Sequence, residues 1–65
     1  MSLNLSPRQL EVCRALVTTD GTDRAIAEQL GISPATVRVH FVSIRNKLHL
    51  HTRVQVAVWY MRTFR

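Results

Sequence analysis

Residues 34–65 contain no aspartate or glutamate. They hold Arg38, Arg45, Lys47, Arg53, Arg62 and Arg65, a formal +6, together with all three histidines. Residues 1–33 set Arg8, Arg14 and Arg24 against Glu11, Asp20, Asp23 and Glu28, a formal −1, so the chain's net +5 lies in its second half. Charge divided in this way points to a polyanionic partner, nucleic acid or membrane surface, with a solubilising basic face as the alternative. Cys13 is the only cysteine, which excludes an intramolecular disulfide and fits a reducing, cytoplasmic setting. No apolar run is long enough to span a bilayer and no secretory core is present, so no membrane partner is expected. Paired carboxylates, a Ser/His/Asp set and a phosphate-cradling glycine loop are all missing, so no enzyme activity and no cofactor are expected. His49, His51 and Cys13 fit no standard zinc spacing, and no metal site is expected. Repeats, low-complexity runs and linkers are absent, and 65 residues make a single domain.

Helix-start signals organise what is there. Ser6-Pro7-Arg8-Gln9 reads as a capping box, followed by Leu10, Cys13, Leu16 and Val17 at helical spacing, with Arg8, Glu11 and Arg14 opposite. Thr18-Thr19-Asp20-Gly21 is turn material. Thr22 is the next cap, with Asp23 in a first turn where the helix dipole favours an anion. Ile26, Ala27 and Leu30 give that helix its apolar face, and Gly31 ends it in the left-handed region. Only Ile32 then separates Gly31 from the cap Ser33 and the N1 proline Pro34. Two helices joined by so short a turn cross steeply, as a helix-turn-helix does. Thr52 can cap a last helix. The fold class predicted is all-α, with four helices at about 7–18, 23–30, 34–48 and 53–63 and a core over about 5–62.

The third helix has two faces. Val37, Phe41, Ile44 and Leu48 recur at steps of four, three and four and form a buried side. Arg38, Val42 and Arg45 fall on a neighbouring face, with Ala35 and Val39 at its edges. The fourth helix is apolar nearly all round: Val54, Ala57, Val58 and Met61 mark one face, while Val56, Trp59 and Tyr60 add apolar surface elsewhere. Excess apolar surface on a small domain suggests a partner, and Val56, Trp59 and Tyr60 are the residues expected at a homodimer interface. The competing expectation is that Trp59 closes the core. His40 is expected to be a half-buried histidine bonded to backbone or phosphate, and Cys13 a small buried hydrophobe.

In order and spacing these segments resemble the LuxR-type (NarL/FixJ-like) DNA-binding domains. Leu5-Ser6-Pro7-Arg8 with Glu11-Val12 is similar to their opening "LTPRE..V", and Ile26-Ala27 through Leu30-Gly31-Ile32-Ser33 to "IA..L.IS". Thr36-Val37-Arg38-Val39-His40 is similar to "TV[KR].H", Ile44 with Lys47-Leu48 to "I..KL", and Arg53 with Ala57 to the fourth helix's "R…A". The resemblance implies a transcription regulator that binds double-stranded DNA with residues 34–48 in the major groove. It implies base contacts from Arg38, Val39 and Val42, and phosphate contacts from Arg24, Thr36, Arg45, Asn46, Lys47 and Arg53. Asp23 stands where relatives often carry asparagine and is expected to serve its own helix dipole. Val42 stands where they are often polar or basic, which moves the expected readout toward thymine methyls, and the usual glutamate at Ala25 is missing. Such domains usually follow a receiver or sensing domain that controls dimerisation. The resemblance therefore implies either a piece of a longer regulator or a single-domain member, cytoplasmic and nucleoid-associated in a bacterium. Two other readings are a sigma-region-4-like promoter-binding module and a protein-interaction module. The latter would meet the transcription machinery, RNA polymerase included, through the apolar fourth helix.

Overall fold

Four side-chain hydroxyls start four helices in the computed structural model, which describes residues 5–64. Ser6, Thr22, Ser33 and Thr52 accept from the backbone N–H of Gln9, Ala25, Thr36 and Gln55 respectively. These caps open α1 (Pro7–Thr18), α2 (Asp23–Leu30), α3 (Pro34–Leu48) and α4 (Arg53–Thr63). Each such cap is worth about 1 kcal/mol, a large share for helices this short. Gln9 and Gln55 reach back to the cap backbone, so α1 and α4 both begin with a full capping box. Residues 1–4 and Arg65, which the single-domain expectation includes, lie outside the described residues.

The α2–α3 corner depends on one glycine. Gly31 sits at φ 69° and ψ 36°, and Ala27 O accepts from both the Gly31 and the Ile32 N–H groups. A Cβ at Gly31 would meet nothing within 4 Å, so backbone conformation alone calls for glycine there. Ile32 then folds back against the core. The end of α3 repeats this device with a histidine: His49 takes φ 57°, and Leu50 N–H donates to Arg45 O.

The core is drawn from all four helices: Val12, Cys13, Ala15 and Leu16, then Ile26 and Ala27, then Val37, Phe41 and Ile44, and finally Val56. Helix α1 packs against the other three. Its buried arc is therefore wider than one stripe: Val12 and Ala15 are fully buried, whereas Leu10 and Val17, predicted on the core face, are only half-buried. Gln9 is buried as well, with both ends of its amide hydrogen-bonded. Its Oε1 accepts from Ser6 N–H and Lys47 Nζ, and its Nε2 donates to Ser43 Oγ, which ties α1 to α3. Cys13 is a buried thiol, and burial pushes it up to about 11.

Helix α4 corrects one expectation. Val56, expected at a dimer interface, is fully buried and is the residue with which α4 enters the core. Trp59 and Tyr60 are half-buried against the same core, with Phe64 edge-on to Trp59 and tilted onto Tyr60. The open apolar face of α4 is instead Val54 (72% exposed), Val58 and Met61 (61%). Among the described residues, no helix is long and apolar enough to cross a membrane.

Candidate nucleic-acid interface

Helix α3 rises about 22 Å over its 15 residues and buries Val37, Phe41 and Ile44 on one side. Outside that side Arg38, Val39 and Val42 are all exposed, with Val39 at 68% and Val42 at 51%. Two methyl-bearing side chains thus stand in water beside a guanidinium, which is the combination that can read base edges and thymine methyls in a major groove. Thr36 and Asn46 are exposed towards the two ends of the same helix, and Thr36 Oγ1 shares a hydrogen bond with Ser33 Oγ.

The cations around this face are held differently from one another. Lys47 is exposed, but its Nζ donates to Gln9 Oε1 at 3.0 Å, which holds the ammonium beside the first turn of α1. Arg45 is half-buried, and its guanidinium donates to Phe41 O and His51 O, bracing the α3–α4 loop. Arg24 lies open on α2 and pairs with Glu28 at 3.2 Å. Arg53 points inward. Its guanidinium lies 4.0 Å over the Phe41 ring, donates to Gly21 O at 3.2 Å, and pairs with Asp23 at 2.7 Å. Nη1 and Nη2 each meet one of these partners, so Arg53 is held within the fold and differs in this from the more open cations as a candidate phosphate contact. His40 is half-buried on α3.

Asp23 is the residue whose part the sequence does not disclose. It opens α2, and its carboxylate is divided between two arginines, Arg53 Nη2 at Oδ1 and Arg38 Nη1 at Oδ2, the latter at 3.3 Å. Helices α2 and α4 do not pack on each other directly, and the Asp23–Arg53 pair is what bridges them. Desolvation raises the Asp23 carboxyl, but Arg53 and then Arg38 outweigh it and hold the group below the usual carboxylate range. Its partners lie 15 and 30 positions downstream, beyond the reach of any local pattern. The remaining acids, Glu11 on α1, Asp20 in the α1–α2 turn and Glu28 on α2, are exposed.

Comparison with known proteins agrees with this arrangement. The family model for bacterial regulatory proteins of the luxR family matches residues 3–60. Similar relatives include the two-component response regulator PprB of Pseudomonas aeruginosa, 41% identical over 54 residues, covering 83% of this chain and 19% of the relative. The nitrate/nitrite response regulator protein NarL of Escherichia coli (strain K12) is 34% identical over 55 residues, covering 85% of this chain and 25% of the relative. The chain thus spans about a fifth to a quarter of the length of the curated relatives it matches. No solved structure gives a significant match. With its four capped helices, its short-turn pair and this match over most of its length, the chain belongs to the luxR family of bacterial regulatory proteins.

Proposed function

We propose that this chain is a sequence-specific double-stranded DNA-binding module of a transcription regulator, with α3 as its recognition helix. In this reading Arg38 donates to guanine O6 and N7, and Val39 and Val42 pack on thymine methyls. Arg24, Thr36, Arg45, Asn46 and Lys47 contact phosphates and set the register without reading sequence. The observation that carries the reading is the Arg38–Val39–Val42 surface, exposed on a helix whose Val37–Phe41–Ile44 side is buried. The response-regulator relatives support a setting in the cytoplasm, as the output module of a longer protein or as a small regulator.

Duplex titrations of two variants test the reading. Arg38→Ala is expected to lose about 1–3 kcal/mol of discrimination between the preferred site and single-base variants of it. Lys47→Ala is expected to weaken all duplexes alike and to flatten the salt slope by about one unit. Equal loss of specificity in both variants contradicts the assignment of roles.

The exposed Val54–Val58–Met61 face of α4 favours a second component, pairing of two copies on a repeated site. An operator with two half-sites at fixed spacing is the expected counterpart of such a pair. Contact of this face with RNA polymerase is the competing use, and it predicts a monomer on single, unspaced sites.

A further inference from the structure

We propose that Asp23 is a positioning residue for base reading. Its carboxylate, fixed from behind by Arg53, holds Arg38 at the groove-facing surface and keeps that guanidinium off the phosphates. Asp23 would thereby set the ratio of specific to non-specific DNA binding. This rests on the reading of Arg38 given above.

The two arginines on Asp23 are unequal. Arg53 is 32% exposed and is locked by three partners, the carboxylate, Gly21 O and the Phe41 ring. Arg38 is 61% exposed and, among the described residues, its guanidinium meets only Asp23 Oδ2, at 3.3 Å. The carboxylate is therefore a fixed point set by the fold, and Arg38 is the movable arm that leans on it. A guanidinium has five N–H donors in a rigid fork, and this contact engages one nitrogen, Nη1. The Nε–Nη2 edge stays free to meet a guanine with two parallel bonds.

Charge works in the same direction as geometry. Non-specific affinity comes from cations that replace counterions on phosphates, so an arginine partly offset by a shared carboxylate adds less to it. The same carboxylate repels phosphate oxygens and does not hinder donation to an uncharged guanine edge. Sequence reading by Arg38 is kept while its general stickiness is lowered.

The test compares the whole chain with Asp23→Asn, Arg38→Ala and the double variant. Each is titrated with the selected duplex, with that duplex altered at the base pair read by Arg38, and with an unrelated duplex, across a salt series. Asp23→Asn is expected to reduce discrimination at that base pair by about 1.5-fold to fivefold, the range of an exposed ion pair. It should also tighten binding to the unrelated duplex and steepen the salt slope by up to about 0.9. In the Arg38→Ala background the same substitution should leave discrimination unchanged. Unchanged discrimination in Asp23→Asn, or an equal loss with and without Arg38, overturns the proposal and leaves base reading by Arg38 standing. No loss of discrimination in Arg38→Ala alone overturns base reading by Arg38, and the proposal with it. Should Asp23→Asn fail to fold because Arg53 loses its counter-charge, NMR of the free wild-type chain supplies the readout. Rotation about the Nε–Cζ bond slower in Arg38 than in the exposed Arg14 supports the proposal, and equal rates overturn it.

Discussion

Replacing Arg53 by alanine should unfold much of this protein under conditions where most surface substitutions are silent. The guanidinium lies 4.0 Å over the Phe41 ring, 3.2 Å from Gly21 O and 2.7 Å from Asp23, with its side chain 32% exposed. The stacked cation contributes about 0.5–2 kcal/mol. The ion pair is partly exposed at both ends, so its loss adds up to about 1 kcal/mol, well short of a buried pair. Removing the stem over Phe41 adds further apolar exposure, for a total of about 2–3 kcal/mol. A domain of this length has about 3–10 kcal/mol of stability in all. At about 4–8 °C per kcal/mol the melting temperature should fall by about 10–20 °C. Thermal melts followed by far-ultraviolet circular dichroism measure this, with Arg24→Ala as the control, expected to shift by less than about 0.5 kcal/mol because its pair with Glu28 is open to solvent. Arg53→Lys should recover only part of the loss, since an ammonium keeps the charge but not the planar stacking. An Arg53→Ala melt within about 3 °C of wild type, combined with a flatter salt slope for DNA, would refute the bracing role and place Arg53 among the phosphate contacts.

Four further outcomes are expected. Because the folded Asp23 carboxyl lies below its unfolded value, its contribution to stability is complete above about pH 4 and is lost as pH falls through the lowered folded value. Urea midpoints measured across acid pH should therefore fall less steeply in Asp23→Asn than in wild type. Cys13, fully buried with its thiol pushed up to about 11, should resist alkylation in the native chain near neutral pH and react freely in urea; rapid native labelling contradicts its placement. His49→Gly should raise stability by about 0.5–1 kcal/mol in the same melts, since the left-handed cap at φ 57° strains any residue with a Cβ. Val58→Glu should leave the monomer folded, since Val58 is 42% exposed, and should weaken pairing in analytical ultracentrifugation with or without operator; unchanged pairing excludes this face.

Helix starts and the helix-turn-helix were legible because their causes are local. A hydroxyl followed by a proline or a glutamine signals a cap within four residues, and Gly31 before Ser33-Pro34 signals the corner. The exposed face of α3 was legible for a related reason: Val37, Phe41 and Ile44 define a buried side, which leaves Arg38, Val39 and Val42 facing out. Helix α4 gave no such phase. Among residues 54–61 only Gln55 is strongly polar, so periodicity cannot say which side packs, and Val56 proved to be the core residue. The part played by Asp23 was illegible for another reason, since it depends on Arg38 and Arg53 arriving from elsewhere in the chain. His49 carried no signal either, because a histidine in the left-handed region is imposed by the α3–α4 connection and not chosen by its side chain.

Selection of binders from a randomised duplex library at near-physiological salt, followed by sequencing, tests sequence reading by α3 most directly. Recovery of short half-sites containing a guanine whose enrichment disappears in Arg38→Ala is the expected result. Fixed spacing between two such half-sites would add pairing of two copies through α4. No enrichment of any sequence, with binding that vanishes as salt rises, would contradict base reading and reduce the basic half of the chain to a general polyanion surface.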